Sequence, residues 1–137
     1  MSTPIKALII VEDEAWYRRY LRIIFDGAFP HAGIVTRMCS SGSEALLAIR
    51  DGGTWDIAIV DVHLGDVPGE KVLEALRNSS PATKIVVLTS ISVNEETHHD
   101  LRTHADEVII KDRVQEHLIP LLENWLGVEA KKGEGTP

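Results

Sequence analysis

The chain has 137 residues, 44% of them apolar and 26% charged, which fits one globular domain with one core and leaves no room for a second. Its 14 basic and 21 acidic residues give a net charge of -7, which argues against a direct electrostatic grip on nucleic acid or anionic lipid, and the single cysteine, Cys39, excludes a disulfide framework or a thiolate metal cluster. No apolar run approaches the ~20 residues needed to cross a bilayer, and Met1-Ser2-Thr3-Pro4 has no signal-peptide layout, so the expectation is a cytoplasmic protein with no membrane insertion.

In chain order, short apolar runs alternate with helix-period segments. The runs are Ala7 to Val11, Ile34 to Met38, Ile57 to Val60, Ile85 to Leu88 and Val108 to Ile110. That alternation is the mark of a parallel sheet with helices on both faces. The first helix is expected over Ala15 to Phe25, with Tyr17, Leu21 and Ile24 inward. The second follows a capping box at Ser41-Gly42-Ser43-Glu44. Pro68 suits the first turn of a third helix that buries Val72, Leu73 and Leu76. A fourth opens at Ser92-Val93-Asn94-Glu95 but offers little beyond Val93, Leu101 and Ala105 to bury, and is expected to be the least firmly held. The last starts at Asp112, buries Val114, Leu118, Leu122 and Trp125, is interrupted by Pro120 and stops at Gly127. Residues 127 to 137 are polar and glycine-rich and read as a flexible tail or a truncated linker. Trp16, Trp55 and Trp125 read as packing residues, with an interface role for Trp16 or Trp125 as the alternative.

In an open parallel sheet, ligands bind beyond the carboxyl ends of the strands. Those ends carry Glu12-Asp13-Glu14, Asp61, Thr89-Ser90 and Lys111. Each alone is an ordinary loop acid, helix cap or solvated lysine; together they converge. Carboxylates gathered on one rim repel one another unless a cation joins them. Asp13 and Asp61, with Glu12 through water, suit a hard ion such as Mg²⁺, and a lysine and a hydroxyl aimed at the same point suit the oxygens of a transferring phosphoryl group. Asp56 precedes its apolar run and Asp66 lies beyond the strand, so neither competes with Asp61. His98 and His99 read as a wet helix face, since adjacent helical residues do not point at one ion.

The segments Val11-Glu12-Asp13-Glu14, Ile59-Val60-Asp61-Val62-His63-Leu64, Leu88-Thr89-Ser90 and Ile110-Lys111 resemble the receiver domains of bacterial two-component response regulators, in particular the stand-alone chemotaxis-type receivers. The resemblance spans residues 5 to 126. It implies a flavodoxin-like, doubly wound five-stranded parallel sheet of order 2-1-3-4-5 with five helices. It implies that Asp61 takes a phosphoryl group from the phosphohistidine of a histidine kinase or phosphotransfer protein, with Mg²⁺ or Mn²⁺ as cofactor. Carried over position by position, Glu12, Asp13 and Asp61 and the backbone carbonyl of His63 hold the metal, Thr89 is the switch hydroxyl and Lys111 the charge clamp. Such a domain is no enzyme beyond its own phosphoryl transfer and autodephosphorylation. It signals to a downstream protein target or to an output domain absent from this sequence, and a homodimer stays open.

The departures concern readout. Asp112 follows the lysine where the family usually has proline, so the Lys111 to Asp112 bond is expected trans, because a cis bond before a non-proline residue costs ~2.5–4 kcal/mol. Val108 stands where many members carry a switching Tyr or Phe, Gly65 where proline is common, and His104 at a common glycine position. The expected exit for the signal is the face of the fourth helix, fifth strand and last helix, without an aromatic rotamer switch. The lone His63 reads first as a solvated loop residue, with a bond to the phosphoryl group or steering of the attacking water as the alternative. Two rivals stand beside this reading. A haloacid-dehalogenase-like phosphatase would place its nucleophile in Asp-x-Asp after the first strand and carry a cap. A pseudo-receiver would keep the fold as an interaction module and lack the chemistry.

Overall fold

The structure, a computed structural model, describes residues 6–30, 33–52, 54–90 and 101–131. Five strands, β1 (Lys6–Val11), β2 (Ile34–Cys39), β3 (Ile57–Asp61), β4 (Lys84–Thr89) and β5 (Glu107–Ile110), form one parallel sheet in the order β2-β1-β3-β4-β5. Each matches an expected run to within one residue at either end, and the order is the doubly wound one expected. The described helices are α1 (Ala15–Ala28), α2 (Gly42–Asp51), α3 (Gly69–Ser79) and α4 (Val114–Leu126). Most of the weak helix expected after β4, with its Ser92-Val93-Asn94-Glu95 box and His98-His99, lies outside the described residues; its expected burials Leu101 and Ala105 are buried. No described helix is long and apolar enough to cross a membrane.

Alternation of side chains along the strands divides the core in two. Leu8, Ile10, Ile57, Ile59, Val86 and Leu88 face α1 and α4; Ile9, Val11, Ala58, Val60, Ile85 and Val87 face α2 and α3. All five residues of β3 are buried, which marks it as the central strand, whereas β2 alternates because it is the sheet edge. On α1 the inward stripe is Tyr17, Leu21, Phe25 and Ala28, so Phe25 takes the place expected for Ile24, which is half-buried.

Helix ends show where local signals hold and where they yield. Ser41 Oγ accepts from the Glu44 amide at 3.0 Å, but the Glu44 carboxylate turns to Ser40, so only half of the capping box forms. Asp66 meets two further amides of the first turn: its carboxylate accepts from Gly42 and Ser43 at 3.0 and 2.9 Å. Those hydrogen bonds, from Ser43 first, hold the Asp66 carboxyl far below the usual carboxylate range. Asp112 does not cap the last helix as expected: Lys111–Arg113 form a 3-10 turn, and α4 begins at Val114 with Arg113 as its uncapped N-terminal neighbour. Leu126 is buried where Trp125 was expected, and Trp125 is half-buried; α4 runs through Pro120 and ends at Gly127, whose φ of 72° is the left-handed stop. Beyond it, the Ala130 amide donates to Glu123 Oε2 and the Lys131 amide to the Ala28 carbonyl, each at 2.7 Å.

Two further contacts position the loops. Arg77 of α3 donates to the carbonyls of His104 at 2.9 Å and Thr83 at 2.8 Å and pairs with Asp106 at 3.0 Å, which fixes the approach to β5. Gly69 starts α3 against the backbone of Val62, just past Asp61. A Cβ there would lie 2.7 Å from the Val62 carbonyl oxygen and 2.8 Å from its Cα. Gly69→Ala is therefore expected to cost about 1–3 kcal/mol, because backbone rather than a flexible side chain must move. Urea unfolding measures this; a loss of less than about 0.5 kcal/mol, the level of an ordinary surface change, would show that the approach is not tight.

Candidate functional site

The register brings four strand ends to one rim. Val11 pairs with Val60, Asp61 with Leu88 and Thr89 with Ile110, so Glu12 emerges beside Asp61, and Lys111 follows Ile110 beside Thr89. Glu12 extends β1 by donating its amide to the Cys39 carbonyl at 3.1 Å, and the Val62 amide likewise reaches the Leu88 carbonyl at 3.1 Å. Glu12, Asp61 and Thr89 are buried polar residues, and Asp13 is exposed. Of the residues expected at the site, Glu12, Asp13, Asp61, Thr89 and Lys111 thus collect at this edge. The His63 ring is exposed, while its amide donates to Asp61 Oδ1 at 3.0 Å.

Carboxylate oxygens of Glu12, Asp13 and Asp61 lie within 4.8 Å of one another. Into this cluster comes one ammonium. Lys111 Nζ sits 2.7 Å from Glu12 Oε1 and 3.4 Å from Asp61 Oδ2. The first contact is a close ion pair. Burial lifts the Glu12 carboxyl above the ordinary range and the Asp61 charge adds to this, against bonds from Lys111 and the Glu14 amide. For Lys111, burial is the largest single influence and acts downward, but Glu12 and Asp61 together outweigh it and hold the ammonium above its ordinary value. Loss of Lys111, the cation shared by both acids, is expected to cost about 3–5 kcal/mol, because the buried Glu12 charge is left uncompensated, whereas loss of the Asp61 charge leaves Lys111 its pair with Glu12. The rim is thus an all-oxygen, net negative cluster, and its donors fit a hard divalent cation. A group of this kind can bind such an ion and hold an anion beside the lysine.

Several residues brace the cluster that the sequence pattern did not single out for it. The Gly65 amide donates to Asp13 Oδ2 at 3.1 Å, and Arg18 Nη1 to the Glu12 carbonyl at 2.8 Å. Tyr17 donates its hydroxyl to the Lys111 carbonyl at 3.2 Å, and its ring centroid lies 4.4 Å from Lys111 Nζ. Its place on the inward stripe of α1 marked it only as core. Trp16, read as a packing residue, is 66% exposed, with its indole N–H on Glu14 Oε2, because it starts α1 on the side facing away from the sheet. No described peptide bond is cis, so the bond from Lys111 to Asp112 is trans as expected.

Residues 8–123 match the family described as response regulator receiver domain. Among curated proteins, the chain is 30% identical over 113 residues to the Regulator of RpoS of Escherichia coli, covering 81% of this chain and 32% of that protein. It is 30% identical over 105 residues to the transcriptional regulatory protein CusR of the same species, covering 76% and 44%. The chain therefore spans a third to under half of these relatives. Among solved structures, a CheY-like receiver domain protein from Methanospirillum hungatei superimposes with a TM-score of 0.75 at 22% identity, covering 90% of this chain and 95% of that one. A Burkholderia pseudomallei response regulator, described with a phosphorylated aspartic acid, a calcium ion and citrate, has a TM-score of 0.69 at 20% identity, covering 89% and 69%. Sheet order, rim and family match agree: the chain belongs to the response regulator receiver domains of two-component systems.

Proposed function

We propose that this receiver accepts a phosphoryl group on the carboxylate of Asp61 from the phosphohistidine of a histidine kinase or phosphotransfer protein, with Mg²⁺ as cofactor and Mn²⁺ able to replace it. The observation that carries the reading is the meeting of three carboxylates within 4.8 Å with one largely buried ammonium, 2.7 Å from Glu12 and 3.4 Å from Asp61. The solved neighbour with a phosphorylated aspartic acid and a calcium ion lends support, because it joins both features in the same fold.

In this reading an Asp61 oxygen forms a bond to phosphorus as the P–N bond breaks, and the bonding pair leaves with the imidazole nitrogen. Glu12, Asp13 and Asp61, with the His63 carbonyl, would hold the ion, which when bound neutralises charge on the phosphoryl oxygens. The His63 amide fixes one Asp61 oxygen and leaves the other toward Lys111. Lys111 turns from Glu12 to the arriving oxygens, and Thr89, at the end of β4, offers its hydroxyl to them. Moving Thr89 would pull on the chain that follows it, so the change would be carried by residues 90 to 105, the stretch whose end meets Arg77 at His104. The partially buried Val108 is β-branched and has no ring to swing. In this reading the signalling unit runs over residues 5 to 126 in the cytoplasm, and residues 127 to 137 are a flexible tail or truncated linker, of which Ala130 and Lys131 are bonded to α4 and α1.

Acetyl phosphate with Mg²⁺, followed by intact mass, tests the reading. One added phosphoryl group that alkaline hydroxylamine removes is expected; continuous turnover would mean a phosphatase, and no uptake a pseudo-receiver. Asp61→Asn is expected to abolish uptake with thermal stability held or slightly raised, since the change is nearly isosteric and removes one of the repelling charges. Stoichiometric uptake by this variant would move the acceptor elsewhere. Mg²⁺ alone is expected to raise Tm, with stabilisation of ~2.7 kcal/mol at a hundredfold excess over Kd, and Asp13→Asn to lose most of that shift. An equal shift in Asp13→Asn would remove Asp13 from the metal site.

A further inference from the structure

We propose that Tyr17 is the positioning residue for Lys111: its ring holds the ammonium and its phenol holds the backbone carbonyl, so that the lysine stays in the site while its carboxylate partners change. This rests on the reading of Asp61 as phosphoryl acceptor and Lys111 as clamp.

Lys111 has a demanding placement. It directly follows β5, whereas Glu12 directly follows β1, and β3 and β4 lie between these strands in the sheet. Its backbone opens a 3-10 turn whose next residues, Asp112 and Arg113, are exposed and restrict it little. Tyr17 supplies what the turn lacks. It sits in the first turn of α1, directly after the acidic segment, and its hydroxyl reaches the Lys111 carbonyl across 94 positions of sequence. The ring is itself fixed, edge-on to Trp16 at 5.3 Å and tilted against Tyr20 at 5.6 Å. Burial first, then Tyr20 and the acids Glu12, Asp112 and Asp61, hold the phenol well above its ordinary range, so it remains a donor.

The ring differs in kind from the other partners of the ammonium. Glu12 and Asp61 attract it by charge, and that attraction weakens once a divalent cation engages the same carboxylates. The face of Tyr17 is neutral and binds no ion of that charge cluster, and a quadrupole attracts an ammonium over a broad range of positions. At 4.4 Å from the centroid, Lys111 can therefore turn from Glu12 toward incoming phosphoryl oxygens without leaving the ring.

The test compares wild type, Tyr17→Phe and Tyr17→Leu, each checked for folding by thermal melt. In wild type, the Lys111 side-chain CH₂ proton signals are expected upfield of a free lysine, shifted by the ring current. Tyr17→Phe keeps that shift and Tyr17→Leu loses it. Uptake of phosphoryl from acetyl phosphate is expected to slow about 3- to 30-fold in Tyr17→Leu, the range of a desolvated cation–π contact, and about 2- to 5-fold in Tyr17→Phe, which lacks only the hydroxyl bond. Mg²⁺ affinity is expected unchanged in both, which a general distortion of the rim would not leave intact. A wild-type Lys111 signal at the free-lysine position, or a folded Tyr17→Leu that takes up phosphoryl at the wild-type rate, overturns the proposal. Failure of wild type itself to take up phosphoryl would instead overturn the acceptor reading, and this proposal with it, before any variant is compared.

Discussion

The site depends on one imbalance: a single ammonium is asked to compensate carboxylates that the sheet forces together. Lys111 stands 2.7 Å from Glu12 and 3.4 Å from Asp61, with Asp13 completing the cluster from the exposed side. Glu12 is fully buried, so its charge cannot be left to water. A lysine shared in this way is stable yet displaceable, because any added cation reduces its claim on the acids. That is the physical basis of a site able to change partners without unfolding.

Parallel topology makes the imbalance possible. All five strands run the same way, so every strand end that carries a polar residue delivers it to the same edge, and the two apolar layers below leave those residues no other place to go. The surrounding loops are held by specific donors rather than by bulk: Asp66 caps α2 from the loop after β3, Gly65 donates to Asp13, and Gly69 lets α3 start against Val62. The far edge is held differently, by the Arg77 fork on Thr83, His104 and Asp106. The two edges thus differ in kind: the far one is fixed by hydrogen bonds and the near one is electrostatically poised.

Much of this was legible in the sequence because it follows from periodicity. The strands, their order through the family resemblance, and the rim acids with Lys111 are fixed by where apolar runs stop. What stayed hidden depends on contacts between residues distant in the chain. Nothing local reveals that Asp66 takes the first amides of α2 while Glu44 turns to Ser40, or that Asp112 is absorbed into a 3-10 turn. Tyr17 and Leu21 occupy the same inward stripe, and only packing distinguishes a ring beside an ammonium from one more core residue. Trp16 is exposed rather than packed, because helix phase rather than aromatic character decides burial there, and its exposure leaves the interface alternative standing.

The central claim is that Lys111 transfers its attention from Glu12 to a group on Asp61. A crystal structure with Mg²⁺ and beryllofluoride tests it most directly. The account predicts beryllium bonded to an Asp61 oxygen, the Lys111 ammonium moved off Glu12 onto fluoride, and the ion among Glu12, Asp13 and Asp61. A structure with the beryllium group on another residue, or with Lys111 still paired to Glu12 beside an occupied Asp61, would contradict it.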